Sequence, residues 1–409
     1  MQAIQTPVPG DKQQAVIEAQ VIDTPEKLKT AIDEIREFLS TPGVVSVMDQ
    51  DPGMMLSNLW VMGDKMSQPQ LIVLRRNAAI VCIAPFLLQK KRLPLRFSVY
   101  QLAAITPRQL RLVGRDIVLH PDISAVDCLP TLLRALDQHA GHTRIISLPE
   151  LPAGTALHDA IAGTARRPLT PWRVRNVTSK QQSIVQHLLA DSYDDWFMSL
   201  SGKERNVFRS KHKKLAARED APVSFRKYTR PEDVEEFLEA LETVYWHSWQ
   251  GKTYGKRPRK TGHAIERLRE AASRGWLRSY ALYVGDQPVS FELGFQYKGV
   301  FEGTETGYDL DYSRLSPGAI LIHLVIKDLY EVDPPQVLDW GFGAADYKQR
   351  LSNVEIPAYS YFLVKPSPIL LYIDLQRLLN TVYQGLHSLS VRLGLERRVR
   401  GALKKKVRN

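Results

Sequence analysis

Two stretches of the chain show the same succession of hydrophobic and polar positions. The first begins with LIVLRRNAAIVCIAPFLL, which turns at Asn77, and the second with RSYALYVGDQPVSFELGFQY, which turns at Gly285 and Asp286. Alternation of apolar and polar residues on both sides of a tight turn predicts a hairpin of half-buried strands. In both stretches a third strand, a helix and a short closing strand follow, so the pattern predicts two units of one α/β layout.

Three further patterns have helical spacing. PEDVEEFLEALETVYWHSW carries an apolar stripe typical of a core-facing helix, and AILIHLVIKDLYE lies inside the second unit. The third runs from Ile369 to about Leu395, with leucines on one face. We therefore expect mixed sheets flanked by helices, with one unit over residues 1–180, a second over 181–365, and an amphipathic helix with a basic tail over 366–409.

The composition is that of a globular protein, with 409 residues of which 44% are hydrophobic and 24% charged. No run approaches the roughly 18 apolar residues of a membrane-spanning helix. The polar start MQAIQTPVPGDKQQ lacks the apolar core of a signal peptide, which predicts a cytoplasmic chain. Cys82 and Cys128 have apolar neighbours, which favours two core residues over a metal site or a disulfide, and no metal is expected.

The net charge of +11 suggests an anionic partner, and two basic runs, SGKERNVFRSKHKKLAAR and LERRVRGALKKKVRN, contribute much of it. Each run is either a solvated surface or a contact for phosphates, an anionic polymer or the inner membrane leaflet. An amphipathic helix with a cationic end can lie on an anionic membrane, although such helices commonly pack on their own protein. Peripheral attachment at the inner face of the membrane is therefore one expectation for the C-terminal segment.

A candidate anion site lies just before and at the start of the helix AILIHLVIKDLYE. Pro317 suits a first helical turn, and Gly318 lets another group approach the backbone closely. The first N–H groups of a helix and the positive end of its dipole attract anions. A phosphate-bearing cofactor would contact Ser316 to Ala319, with Arg314 as a further donor. Simple capping of the helix is the alternative interpretation.

Five short motifs in this half resemble acyl-CoA-dependent acetyltransferases of the GNAT superfamily. They are SWQGKTYG, SFELGF, TGYD, SPG and GFGAADYK, in this order within about residues 195–355. The closer resemblance is to the CelD-type group of cellulose biosynthesis, whose layout is similar to that of Fem-type peptidoglycan transferases. The first half resembles the family in layout only. The implied fold class is α/β with mixed sheets, two tandem GNAT-like acyltransferase domains, the first degenerate, and a C-terminal amphipathic helical tail.

The resemblance implies that acetyl-CoA, or another acyl-CoA, binds in a cleft between the third and fourth strands of the second unit. Its pyrophosphate would lie on Ser316, Pro317 and Gly318. The sequence departs from the family here, because Arg314, Leu315 and Pro317 stand where a fuller glycine-rich pattern would run. The implied acceptor is an amine or a sugar, for example part of an extracellular polysaccharide precursor.

Direct attack of an acceptor on a thioester needs positioning, a general base, and donors for the oxyanion and thiolate. In VLDWGFGAADYKQR, Asp346 is the first candidate for the base or for a group that orients the acceptor, and a surface pair with the neighbouring lysine is the alternative interpretation. Tyr347 is a candidate for protonating the thiolate, and Lys348 for binding phosphate or acceptor charge. Glu292 and Glu305 are further candidate bases, although Glu292 is alternatively a solvent-facing residue of an alternating strand.

The segment HSWQGKTYGKRPRKTGH interleaves aromatic rings, cations and glycines. Trp249, Gln250 and Lys252 are therefore candidates, together with Glu305 and Lys348, for binding the acceptor. A basic surface loop is the alternative interpretation. His323, within the apolar helix AILIHLVI, is interpreted as a core residue.

Two other functions remain open. A Fem-like transferase that uses aminoacyl-tRNA would find an RNA-binding surface in the basic segment Lys203 to Arg218. No pattern of a long two-helix arm separates the two units, however, which argues against a nucleic-acid partner. A catalytically inactive binding protein on the membrane face of a polysaccharide assembly is the other alternative.

Overall fold

The computed structural model describes residues 16–57, 67–98, 100–139, 143–163, 169–178, 182–189, 191–216, 222–255, 261–342, 348 and 350–392. The α-helices of this part are α1 (Pro25–Ser40), α2 (Pro52–Met55), α3 (Ala125–His139), α4 (Ala156–Ala162), α5 (Tyr193–Ser199), α6 (Gly202–Ala216), α7 (Val234–His247), α8 (Trp249–Tyr254), α9 (Gly262–Ser273), α10 (Pro317–Val332) and α11 (Pro368–Arg392). Its strands are β1 (Ile17–Ile22), β2 (Ser67–Arg76), β3 (Ala79–Lys90), β4 (Leu93–Phe97), β5 (Tyr100–Ile105), β6 (Arg108–Leu112), β7 (Val118–Leu119), β8 (Ile145–Pro152), β9 (Arg173–Asn176), β10 (Gln182–Leu188), β11 (Val223–Tyr228), β12 (Ser279–Val284), β13 (Gln287–Tyr297), β14 (Val300–Tyr308), β15 (Val337–Phe342) and β16 (Val354–Val364).

Both predicted hairpins form. β2 turns into β3 through Asn77 and Ala78, whose φ angles of 53° and 66° are both positive. β12 turns into β13 through Gly285, with φ 60°, and Asp286. Two-residue turns with positive φ match the right-handed twist of the strands that they join, and Asn, Asp and Gly are favoured in such turns. This is why the sequence predicted the positions of both turns.

The predicted repeat of layout is also present. In each half an antiparallel hairpin is followed by a strand, a helix and a parallel strand. β6, α3 and β8 take these places in the first half, and β14, α10 and β15 in the second. A strand that returns through a helix to pair in parallel is the βαβ arrangement, so each half contains one such crossover.

Among the described strands, fourteen join into one mixed sheet, and β4 and β5 form a separate hairpin. The order along the sheet is β1-β2-β3-β6-β8-β16-β10-β15-β14-β13-β12-β11. β16, from the C-terminal part of the chain, pairs with β8 and β9 of the first half and with β10. The two halves therefore share a continuous hydrogen-bonded sheet, and the domain boundaries near residues 180 and 365 stay a prediction.

Helices cover the sheet with apolar side chains. In the first half, α3 and α4 pack on a cluster that contains Cys82 and Cys128, both fully buried and free of disulfide. The prediction of two core cysteines is confirmed. In the second half, α7 and α9 pack with one cluster, and α5, α6 and α10 with another. The apolar stripe predicted for α7 is buried from Val234 to Tyr245, as expected for a core-facing helix.

Within the described residues, no helix has the length and apolar character needed to cross a membrane.

Candidate functional site

The strands β14 and β15 pair over only a short distance. Their parallel register joins Val300–Glu302 to Val337–Asp339 and then ends, although β14 continues to Tyr308. At the same place β14 carries a bulge, because Thr304 is an extra residue between the pairs that Gly303 and Glu305 make with β13. Bulges bend a strand and commonly end its pairing beside functional sites. A cleft between the third and fourth strands of the second unit is therefore present in the geometry.

A cavity of about 320 Å³ lies at this end of the pairing. The second half supplies Gly303 and Thr304 from β14, Trp340 to Phe342 from β15, and Lys348. The first half supplies charged residues from three separate segments, together with nonpolar neighbours. The charged residues of both halves around the cavity are Asp49, Arg111, Arg115, Glu150, Arg267, Glu302 and Lys348. The cavity is consequently polar and belongs to both halves of the molecule.

Arg115 of the first half contacts both β14 and β15 at the place where their pairing ends. Its guanidinium donates to Glu302 on β14 at 2.9 Å and also pairs with Asp339 on β15. Asp339 is only 2% exposed, and it also accepts from Nε2 of Gln186 at 2.9 Å and from the backbone N–H of Gly341 at 2.7 Å. A buried carboxylate with this many donors is well compensated, so the strand ends are held in fixed positions.

Glu292 on β13 does not face solvent. Its side chain is buried, and a Cβ built on Gly303 would lie 2.5 Å from its Oε1. The missing side chain at position 303 therefore makes room for this carboxyl group beside the cavity. Burial raises the pKa of Glu292 to about 8, against the opposing effects of the Thr306 hydroxyl and the charge of Lys348. A carboxyl group that titrates near neutral pH is suited to proton transfer.

Lys348 is held against the strand that it follows. Its Nζ donates to the carbonyl oxygens of Trp340 at 2.5 Å and of Phe342 at 2.9 Å. Burial lowers the pKa of this ammonium group, while the charges of Glu292 and Asp339 oppose the change. Its neighbours Asp346 and Tyr347, the first candidates for base and acid, lie outside the described residues.

The candidate anion site stands at the start of α10. Ser316 has a left-handed backbone, with φ 54° and ψ 51°, and its carbonyl oxygen accepts the N–H groups of Ala319 and Ile320. Pro317 has no N–H group, so the N–H of Gly318 is the first-turn donor left for an anion. A Cβ on Gly318 would lie 3.2 Å from Cδ1 of Tyr308, the last residue of β14. Arg314 precedes this turn and is exposed.

The acceptor-binding candidates of the SWQGKTYG motif lie on α8, where the hydroxyl of Ser248 caps the helix by accepting the N–H of Gly251. Nε2 of Gln250 donates to the carbonyl oxygen of Thr306 at 3.0 Å, which ties α8 to β14 beyond the bulge. Trp249 is 55% exposed, and Lys252 is exposed. Glu305 is exposed on β14. The structure thus brings Gln250 and Glu305 to the same strand end, whereas Lys348 and Gly303 lie at the cavity.

The connection from β14 to α10 is fastened by a buried acid. Asp309 is 2% exposed, accepts the N–H of Asp311, and lies 3.1 Å from Nδ1 of His247 at the end of α7. Through these contacts the turn at residues 310–315 keeps a fixed position relative to the end of α7.

His323 is a satisfied core residue, as predicted. It is buried, Nε2 lies 2.5 Å from the hydroxyl of Tyr193, and Nδ1 lies 2.9 Å from Nε2 of His212. Burial lowers its pKa to about 4, so the ring is neutral at physiological pH.

The sequence did not point to the first-half residues of the cavity. Arg115 and Glu150 occur in segments without a recognisable motif, and their approach to β14 depends on the continuous sheet. Asp339 could have indicated these residues from the sequence. It lies between Leu338 and Trp340 in a strand with the pattern of a buried strand, and a buried acid needs a cation or hydrogen-bond donors. Glu150 also has an unusual backbone conformation, with a positive φ of 55°.

Comparison with known proteins shows what part of the chain and its fold are similar to. Residues 202–349 match the family model described as acetyltransferase (GNAT) domain. No curated protein matches the chain. Among solved structures, the crystal structure of FemX is similar at a TM-score of 0.57 and 10% identity, with 86% of this chain and 98% of that chain covered. A conserved protein of unknown function from Bacteroides thetaiotaomicron VPI-5482 is similar at 0.50 and 14% identity, with 85% and 100% covered.

The second half thus contains a segment that matches the acetyltransferase (GNAT) domain model. A tandem GNAT protein from the clavulanic acid biosynthesis pathway is also similar, at a TM-score of 0.47 and 12% identity, with 86% of this chain and 100% of that chain covered. These likenesses concern the fold alone. The predicted fold class, α/β with mixed sheets and two units of one layout, is confirmed.

Proposed function

We propose that the protein is an acyl-CoA-dependent acyltransferase that transfers an acetyl group to an amine or sugar acceptor. The observation that carries this proposal is the early end of the β14–β15 pairing inside the matched acetyltransferase domain. Beyond Glu302 the edge of β14 has backbone groups without partners on β15. We assign these groups to the amides and the thioester carbonyl of the acyl-CoA, because an extended chain can add to an open strand edge.

The reaction is a direct attack of the acceptor on the thioester. The acceptor nitrogen or oxygen bonds to the acyl carbon and loses a proton to the general base, the C–S bond breaks, and the leaving thiolate of CoA takes up a proton to become the free thiol. No covalent enzyme intermediate is needed, so positioning of the two substrates supplies much of the rate. The cleft and the adjoining cavity hold the donor and the acceptor side by side.

The diphosphate of the acyl-CoA is assigned to the start of α10. The support is the N–H of Gly318, the positive end of the helix dipole, the Ser316 hydroxyl and the exposed guanidinium of Arg314. The backbone N–H groups of Ala319 and Ile320 already donate to the carbonyl oxygen of Ser316. Charge attraction therefore contributes more to diphosphate binding at this site than hydrogen bonding does.

Two acids are candidates for the general base. Asp346 is the first candidate because of its position in the ADYK motif, and Tyr347 is the proposed proton donor to the thiolate. Glu292 is the second candidate, and its pKa of about 8 means that it is mostly protonated at pH 7 and becomes a base above pH 8. In Asp346→Asn we expect unchanged CoA binding and lost transfer. Full transfer by that variant with loss in Glu292→Gln assigns the role to Glu292.

The acceptor is assigned to the polar cavity between the halves. Glu150 and Arg111 reach it from the first half, one able to attract an ammonium group and the other an anionic or hydroxyl group. An amino sugar or another polar amine fits this pairing of charges. A role in exopolysaccharide or cell-envelope biosynthesis, as in the CelD-type group, is the corresponding biological proposal, and Trp249, Lys252 and Lys348 are further acceptor contacts in it.

One observation favours a second candidate, a transferase that uses aminoacyl-tRNA as donor. The chain shares its fold with FemX over most of both chains, and α6 carries a basic surface on the second half. A tRNA donor would bind through phosphate contacts and be released steeply by salt. The third possibility is a binding protein in which the acetyltransferase domain is inactive.

Calorimetric titration with acetyl-CoA separates these candidates, with Ala319→Asp and Ala319→Asn as matched variants. An acid in the first turn of a helix favours the helix, so Ala319→Asp keeps the fold while its charge repels the diphosphate. We expect the wild type and Ala319→Asn to bind, and Ala319→Asp to bind about tenfold more weakly. Equal binding by all three removes the diphosphate from α10. No heat with the wild type rejects the CoA enzyme, and salt-sensitive binding of aminoacyl-tRNA in the same preparation supports the Fem-like donor.

A further inference from the structure

One face of α11 attaches the helix to the body of the protein. The hydroxyl of Tyr372 donates to the carbonyl oxygen of Leu93 at 3.0 Å, and Gln376 exchanges two hydrogen bonds with the backbone of Arg96. Ile373 is buried in a small apolar cluster. These contacts fix which side of α11 faces the β4–β5 hairpin.

The opposite face carries a stripe of exposed aliphatic side chains. Their exposed fractions run from 43% to 72%, and the residues are Leu371, Leu375, Leu378, Val382, Leu386 and Leu389. Steps of three and four residues keep all six within about 80° of the helix surface. Single exposed apolar residues need no explanation, but six aliphatic side chains in one line along the described length of a helix indicate a surface that binds something apolar.

The chain next to this stripe is strongly cationic. From Arg392 to Asn409 the sequence contains eight Lys or Arg residues and one acid, Glu396, a net charge of +7. On α11 itself the acid Asp374 is engaged by Arg175, at 2.5 and 2.9 Å. The apolar stripe therefore continues into cationic sequence that is unbalanced by acids.

Two occupants are conceivable for such a face, an anionic bilayer or a second copy of the chain. Parallel pairing of two copies would bring together two segments of net charge +7, which repel each other. An anionic bilayer offers hydrocarbon for the stripe and negative headgroups for the segment that follows it, so it satisfies both features.

We propose that α11 lies flat on an anionic membrane, with its six aliphatic side chains at the boundary of headgroups and acyl chains, and that the net charge of the sequence after the helix adds electrostatic attraction to the headgroups. The helix lies on the membrane and does not span it, because its other face is bound to the body of the protein and the described part of the helix is not apolar enough to cross a bilayer. This proposal is independent of the acyl transfer proposed above.

Vesicle co-sedimentation of the full chain tests the proposal, with vesicles of phosphatidylcholine and phosphatidylglycerol at about 7:3 compared with phosphatidylcholine alone. We expect binding to the anionic vesicles only, weakened about tenfold between ~100 mM and ~500 mM salt. The triple variant Leu378→Ser, Leu386→Ser, Leu389→Ser should bind about tenfold more weakly, because the stripe supplies the apolar part of the affinity.

Val332→Ser is the matched control, since Val332 is 63% exposed at the end of α10 and lies off the stripe. It should bind like the wild type. Light scattering of the wild type and the triple variant accompanies the assay. Failure of the wild type to bind anionic vesicles, or equal binding by the triple variant, overturns the proposal. A wild-type dimer that the triple variant converts to a monomer identifies a second copy as the occupant and overturns it as well.

Discussion

Replacement of Glu292 by glutamine tests the electrostatics of the candidate site without any knowledge of the substrates. The side chain is 3% exposed, and burial raises its pKa from the ordinary value of 4.5 to about 8. Glutamine keeps the shape beside Gly303 but cannot ionise. The substitution therefore isolates the free energy of the carboxyl group's titration from its packing.

The sign follows from proton linkage. Below pH 4.5 the group is protonated in both the folded and the unfolded protein, and its titration costs the fold nothing. Between pH 4.5 and 8 the unfolded chain loses the proton while the folded protein keeps it, so stability falls as pH rises. The penalty grows by about 1.4 kcal/mol per pH unit, which gives roughly 3 kcal/mol at about pH 7 and a plateau of roughly 5 kcal/mol above about pH 8.

Urea denaturation of the wild type and Glu292→Gln between about pH 5 and pH 9 measures this penalty. We expect the variant to gain on the wild type with rising pH, from about 1 kcal/mol at pH ~5 to about 4 kcal/mol at pH ~8, apart from a constant offset for packing. Glu355→Gln, at an exposed position of β16, is the control and should show no such trend. A difference between Glu292→Gln and the wild type that is independent of pH would refute the burial of an abnormal carboxyl group at this site.

Two further predictions concern the framework of the site. Arg115→Met should lower the free energy of unfolding by about 3 kcal/mol in the same assay, because it leaves a buried acid of β15 without its cation. Arg269→Met removes one side of an exposed ion pair and should lower the free energy of unfolding by less than about 1 kcal/mol. Equal losses in the two variants would contradict the argument. Gly251→Ala should cost at least about 1 kcal/mol, since its Cβ would lie 2.2 Å from the carbonyl oxygen of Tyr245. Gly262→Ala, with open space around its Cβ, should be neutral or stabilising by up to about 1 kcal/mol, and a reversed order of the two melting temperatures would show that the close approach is wrong.

Local sequence signals predicted those parts of the fold whose causes are local. The turn at Asn77, the stripe of α7 and the start of α10 at Pro317 each depend on backbone conformation or on periodicity within a few residues. The same signals missed β16, which pairs with strands of both halves. No local pattern states which of several compatible edges a strand will join, because register and partner depend on the whole sheet.

The candidate site divides in the same way. Its position in the second half followed from short motifs, and the matched GNAT domain agrees with that interpretation. The charge state of Glu292 did not follow from them, because the space that its buried carboxyl group occupies depends on a glycine of the neighbouring strand. An alternating pattern predicts that a residue points to one face, but not whether that face is solvent.

By itself, therefore, the sequence predicted the α/β class, the repeated layout and the amphipathic C-terminal helix, since periodicity encodes these features directly. The likeness of the second half to acetyltransferases came from the resemblance of its short motifs to a known family. The tertiary structure alone decided that Arg115 and Glu150 of the first half share a cavity with β14 and β15, and that the apolar face of α11 is left exposed. The physical reason is that burial and charge pairing are properties of side chains brought together across the chain. The role of Asp339, the acid of VLDW, depends on its ion pair with Arg115, which lies more than two hundred residues earlier in the chain.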